Sequence, residues 1–120
     1  MTCVEREAVR GGGDRRAQWF KGLADLALLR LLRDEPHYGL QILDRLRSEA
    51  GLGLAEGSIY PLLHRLERAG LVSSEWRLAE EGGRPRRYYA ITDAGAEELA
   101  ELLTEWRRLR TELGAFLERP

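Results

Sequence analysis

Apolar residues first recur at helical spacing in the segment Leu23–Asp34. Leu23, Leu26, Ala27 and Leu31 line one face there, and Leu28 and Leu32 flank it. Asp34-Glu35-Pro36 ends this helix, because the residue before a proline is pushed out of the α region. A second helix is predicted from about His37 to Glu49, with a core stripe of Leu40, Ile42, Leu43 and Leu46. Gly39 in its first turn leaves room for a close neighbour, and Gly51 supplies a left-handed stop. After a turn at Leu52–Ala55, a third helix over Glu56–Ala69 directs Ile59, Leu62, Leu63, Leu66 and Ala69 inward. Ser58, Tyr60, Pro61, His64, Arg65 and Arg68 face outward, and Gly70 stops the helix. Two starts are open: Ser58 as the N-cap with Pro61 in the first turn, or Glu56 with Pro61 inside the helix.

The period then changes to two. Over Val72–Leu78, Val72, Ser74, Trp76 and Leu78 lie on one side and Ser73, Glu75 and Arg77 on the other. Glu81-Gly82-Gly83-Arg84-Pro85 is a turn, and Arg86–Ile91 is the returning strand with Tyr89 and Ile91 inward. Thr92 caps a last helix from Asp93 to about Leu117, whose first turns carry Asp93, Glu97 and Glu98 at the positive end of the helix dipole. Its apolar positions Leu99, Leu102, Trp106, Leu109, Leu113 and Phe116 follow gaps of three and four, an a/d seam. A helix of that length is about 37 Å long, more than the small domain before it can cover. An exposed seam of several hundred Å² is rare on monomers, so dimerisation through this helix is expected.

The predicted fold is mainly α with a small β-hairpin (α+β): a winged helix-turn-helix followed by a long C-terminal dimerisation helix. Residues 1–20 are expected to form a flexible basic arm, 21–92 the winged domain and 93–120 the dimerisation helix. The arm assignment comes from Gly11-Gly12-Gly13 and from Arg6, Arg10, Arg15, Arg16 and Lys21, which outnumber Glu5, Glu7 and Asp14. Ala17-Gln18-Trp19-Phe20 marks where order is expected to begin, since a bare Trp-Phe pair is costly unless it packs.

Composition narrows the chemistry. At 120 residues one domain is expected, and no stretch approaches the roughly 20 apolar residues of a membrane span. The first 21 residues have no apolar signal core, so a cytoplasmic location is expected. A single cysteine, Cys3, excludes an internal disulfide and a cysteine-based zinc site, and His37 and His64 stand 27 positions apart without a carboxylate cluster. No cofactor, metal or catalytic set is expected; neither glycine-rich stretch is followed by the lysine of a phosphate loop. Net charge is only −1, but its distribution is uneven. The turn and strand over 82–91 hold Arg84, Arg86 and Arg87 and no acid, while 93–120 holds seven acids against four arginines. A locally basic hairpin beside an acidic helix suits a protein that touches phosphate with one face only.

One string is more specific than the pattern. Gly57-Ser58-Ile59-Tyr60-Pro61-Leu62-Leu63-His64-Arg65-Leu66-Glu67 runs into Gly70-Leu71-Val72 and Trp76. Gly83-Arg84-Pro85-Arg86-Arg87-Tyr88-Tyr89-Ala90-Ile91-Thr92 and Gly95 follow. Together these residues resemble the PadR family of bacterial transcriptional regulators in its short form with a single C-terminal helix, over about Leu23–Leu117. The resemblance implies a homodimeric winged-helix repressor of double-stranded DNA that binds an inverted repeat and, in many members, responds to flat apolar or aromatic compounds. The chain departs from the family pattern at Leu40, where the family commonly has Tyr, and at Ala55-Glu56, where Ser or Pro is frequent.

Candidate DNA contacts are therefore Ser58, Tyr60, Pro61, His64 and Arg65 on the third helix and Arg84, Arg86 and Arg87 in the wing. Each has a plainer role to set beside it. Ser58 can be a cap, Tyr60 can pack on a neighbouring helix, and Arg65 and Arg68 can be neutralised by Glu67 and Glu75. Tyr88 and Tyr89 are expected to pack the wing. Leu99, Leu102, Trp106, Leu109, Leu113 and Phe116 are the candidate dimer interface, and Trp106 is also a candidate wall of an aromatic effector pocket between subunits. The rival from another class is a winged-helix protein-interaction module that pairs through the C-terminal helix.

Overall fold

Leucines spaced three and four apart put one apolar stripe on each of three short helices, and the stripes meet around a single core. The computed structural model describes residues 12–78 and 82–120. Its elements are α1 (Gly12–Asp34), β1 (His37–Tyr38), α2 (Gly39–Ala50), α3 (Glu56–Arg68), β2 (Val72–Arg77), β3 (Arg86–Ile91) and α4 (Asp93–Leu117). Leu28, Leu29 and Leu32 of α1 pack with Ile42, Leu43 and Leu46 of α2 and with Ile59, Leu63 and Leu66 of α3. Val72, Tyr89 and Leu99 close the core from the sheet and from α4. The result is a winged helix of the α+β class.

Helix α1 starts at Gly12 rather than Leu23, so residues 12–20 are helical where a loose arm was expected. Glycines cost least in a first turn, whose N–H groups have no intrahelical partner in any case, and good helix formers follow. Arg6, Arg10 and Cys3, the side chains of Arg15, Arg16, Trp19, Phe20 and Lys21, and the Glu81 corner of the turn lie outside the described residues. The buried stripe of α1 is centred on Leu28 and Leu32, which pattern alone assigns to the flank, while Leu23, Leu26, Ala27 and Leu31 are half-buried. An apolar face this wide does not say which half meets the core.

His37 and Tyr38 form a short strand instead of opening α2. They pair with β3 in the register His37↔Tyr89 and Tyr38↔Tyr88, giving a three-stranded antiparallel sheet of order β1-β3-β2. This pairing spans half the chain, so no local pattern announces it. Leu40 falls out of the predicted core stripe and is exposed. At 100° per residue it sits about 110° from the centre of the buried Ile42, Leu43 and Leu46.

Helix α3 begins at Glu56 after the extended Ala55. The Ser58 N–H donates to the Ala55 carbonyl at 3.0 Å, which makes Ser58 the third helical residue and not the cap. Pro61 lies inside the helix on its exposed side, and Ala69 at the C-terminal end is exposed rather than inward. Gly70 turns the chain at φ +79°. Strands β2 and β3 pair from Val72↔Ile91 to Arg77↔Arg86. Only the base of this hairpin meets the core. Trp76 and Leu78 are exposed although they share a side with Val72, because the wing reaches beyond the body.

At the start of α4 the Thr92 Oγ1 accepts the Gly95 N–H at 3.0 Å and donates to the Gly70 carbonyl at 2.6 Å. A cap thereby also pins α4 to the turn after α3. Helix α4 runs 25 residues and helps stretch the molecule to 57 × 30 × 25 Å. Among the described residues, no helix is long and apolar enough to cross a membrane.

Candidate nucleic-acid interface

Burial of Ile59, Leu63 and Leu66 fixes the roll of α3. With 100° per residue, the opposite face carries Gly57, Pro61, His64 and Arg68, all exposed. Tyr60 and Glu67 fall on the flank beside the wing, and Ser58 and Arg65 on the other. Contacts agree with this geometry. Tyr60 leans over Gly39, where a Cβ would come within 2.5 Å of its Cε1. That is the close approach the glycine permits. Glu67 accepts the Ser74 hydroxyl at 2.5 Å and faces Arg87 Nη2 at 3.6 Å, so it ties α3 to the base of the wing.

Arg65 is engaged by an acid the sequence did not point to. Its Nη2 donates to Asp25 Oδ1 on α1 at 2.6 Å, and this bond raises the arginine pKa above its usual value. Glu75 pairs with Arg77 on its own strand at 2.7 Å. Arg68 has no ion-pair partner among the described residues, so the two helix arginines differ in state.

The wing arginines also divide. Arg84 is exposed and has no ion-pair partner among the described residues. The Arg86 guanidinium lies over the Tyr38 ring at 4.4 Å, and Arg87 lies over Trp76 at 5.6 Å. Tyr88 meets Tyr38 edge-on, with centroids 5.5 Å apart, beneath the Arg77 guanidinium. Tyr89 is buried, and burial raises its phenol pKa. Both tyrosines thus pack the wing, as the sequence suggests.

Between α2, α3 and the wing runs an open groove of about 860 Å³, lined by Leu40, Tyr60, Trp76, Pro85, Arg86 and Arg87 among others. Trp76 is 64% exposed on its rim. Tyr38 and Leu40 belong to this wall, and sequence reasoning missed both because it placed them in a helix start and a core stripe. At the base of β1, His37 is buried. Its Nδ1 meets the Glu35 carbonyl at 2.8 Å and its Nε2 meets Arg45 Nη1 at 3.2 Å, so both ring nitrogens have partners. This histidine joins the sheet to α2 and faces no groove.

On α4, Leu99 is buried, Leu102 is half-buried against the core and Trp106 is half-buried. Further along, Leu109, Leu113 and Phe116 are 51%, 43% and 57% exposed. The predicted seam therefore starts as core and ends as bare surface.

Compared with known proteins, residues 28–101 match the model of the transcriptional regulator PadR-like family. A PadR-like transcriptional regulator from Bacillus cereus is 31% identical and superposes with a TM-score of 0.79, over 86% of this chain and 99% of that one. A PadR family transcriptional regulator from Eggerthella lenta is 29% identical with a TM-score of 0.76, and the match covers 100% of both chains. A transcriptional regulator of Mycobacterium tuberculosis is 46% identical over 54 residues, 45% of this chain and 49% of the relative.

Proposed function

The chain belongs to the PadR-like family of transcriptional regulators, and from that premise we propose that it is a homodimeric repressor of an inverted-repeat operator. In this mechanism α3 enters the major groove and offers Ser58, Tyr60 and His64 to base edges and phosphate and Pro61 to apolar base surface, while Arg65, paired with Asp25, stays at the edge of the helix. Arg84, Arg86 and Arg87 meet the neighbouring backbone from the wing, where planar guanidinium suits phosphate. Two such surfaces, related by the dimer axis, read half-sites about 34 Å apart, one helical turn. The dimer forms through the outer seam of paired α4 helices, Leu109, Leu113 and Phe116 with Trp106 beside them, since Leu99 is buried in the core of its own chain and Leu102 packs against that core. Trp106 serves first as interface core, and its second role is one wall of a site for a flat apolar effector between subunits.

One observation carries this function. Tyr60, on the wing-side flank of α3, and Arg86 and Arg87 of the wing line the same open groove, and neither Arg84 nor Arg86 has a carboxylate partner among the described residues. The exposed distal seam of α4 supports the dimer, since an uncovered apolar row favours a matching partner.

The test is a selection from a random duplex library with the purified protein, followed by binding across a salt series. Enrichment of an inverted repeat is expected. If all six wing arginines of the dimer meet phosphate, they contribute about −5 to the log–log salt slope, and alanine at Arg84, Arg86 and Arg87 flattens it. A folded dimer that enriches nothing would turn the assignment toward the protein-interaction module.

A further inference from the structure

We infer that Asp25 is a charge latch on the recognition helix: it holds Arg65 at the α1-side edge of α3 and withholds that cation from DNA phosphate. The inference rests on the DNA-binding function proposed above and names a residue that regulates the same surface. Arg65 Nη2 and Asp25 Oδ1 are 2.6 Å apart, across 40 positions of sequence. Both partners stand on helices anchored in the core, Asp25 one residue after the buried Ala24 and Arg65 one before the buried Leu66. Neither backbone can drift away from the other, so the pair is preset rather than a chance meeting of long side chains. The Asp25 side chain is only 25% exposed and the Arg65 side chain 60%. A carboxylate so placed is less screened than one on open surface, while the guanidinium lies where a released arginine would reach solvent and phosphate.

The two helix arginines make the contrast. Arg68, three residues on and at the centre of the outer face, has no ion-pair partner among the described residues, whereas Arg65 is matched by an acid from another helix. The phosphate backbone carries no sequence information, so each unmatched cation strengthens binding to every duplex alike. Neutralising Arg65 within the protein lowers that indiscriminate attraction and leaves α3 to bind through its central face.

The experiment measures affinity for a random-sequence duplex from about 50 to 200 mM salt, for the wild type, Asp25→Asn, Arg65→Ala and the double variant. Asparagine keeps the shape of the side chain and removes its charge. With Arg65 released, Asp25→Asn is expected to steepen the log–log salt slope by about 0.9 per protomer, roughly tenfold across that range for a dimer. Arg65→Ala is expected to leave the wild-type slope unchanged, and the double variant to return to it. Asp25→Glu keeps the charge and is expected to behave as the wild type.

An unchanged slope in Asp25→Asn overturns the latch. So does a steepening that persists without Arg65, which would be a general charge effect. A flatter slope in Arg65→Ala also overturns it, because Arg65 would then already contact phosphate. Should Asp25→Asn fail to fold, Arg65→Ala alone decides by the same criterion. A wild type that binds no duplex removes the DNA-binding function and the latch with it, whereas duplex binding without these slope changes removes the latch only.

Discussion

Gly95 sets the angle at which the long C-terminal helix leaves the winged domain, and its replacement by alanine is the sharpest test of that packing. A Cβ at this position would stand 2.0 Å from the Leu71 carbonyl oxygen and 2.8 Å from Ile91 Cγ1. Ordinary contact begins near 3.4 Å, so helix and turn must separate by about 1.4 Å. The nearest atom is backbone and cannot rotate aside. The same carbonyl accepts the Thr92 N–H at 3.1 Å, and Thr92 in turn caps the helix and bonds Gly70. Separation therefore strains this whole joint. Overpacking costs about 1–3 kcal/mol, and loss of the Thr92 bonds adds about 1–2. Alanine recovers about 1 kcal/mol over glycine in a helix. The net expectation is a loss of about 1–4 kcal/mol, or roughly 4–16 °C in Tm for a chain of this size. Thermal melts followed by far-UV circular dichroism, at one protein concentration, measure it. Gly57→Ala is the control, since nothing lies within 4 Å of its added methyl and its effect should stay below about 1 kcal/mol. If Gly95→Ala melts within about 2 °C of the wild type, the account of this joint is wrong.

Three further outcomes follow from the geometry. Gly39→Ala meets the Tyr60 ring rather than backbone, and that ring is free to swing. Stability should change by less than about 1 kcal/mol while operator affinity, read by fluorescence anisotropy, falls about tenfold. Glutamate at Leu109, Leu113 and Phe116 together should shift the protein from dimer to monomer in analytical ultracentrifugation; persistence of the dimer would place its interface elsewhere. The raised pKa of Tyr89 favours the neutral phenol in the folded state. Its contribution is thus complete below about pH 10, the unfolded value, and is lost as pH rises through the folded pKa. Tyr89→Phe should flatten the alkaline decline of stability seen by denaturant titration, and an identical decline in the variant would count against burial of an ionisable phenol.

Much of this protein was written in local pattern. The three- and four-residue spacings of Ile59, Leu63 and Leu66 set the roll of α3 and so its outer face, because one buried stripe leaves only one face free. Gly51, Gly70 and Thr92 marked element ends through backbone requirements that do not depend on the rest of the fold. The alternation in Val72–Leu78 and the Gly-Arg-rich turn announced the hairpin, and the 3-4 gaps of α4 announced a seam longer than its own domain.

Tertiary structure decided what depends on distant partners. The strand at His37–Tyr38 exists because β3 is there to pair with it. Trp76 follows the correct local period yet remains exposed, since period says which side a residue takes and not whether anything covers that side, whereas Leu40 lies off the buried stripe of its helix. Ser58 lost the cap to Ala55 by one choice of helix start that both sequences of events allowed. The state of Arg65 depends on Asp25, 40 positions away on another helix. Charge pairing at that separation is a property of how helices cross, and only the assembled core brings those two groups together.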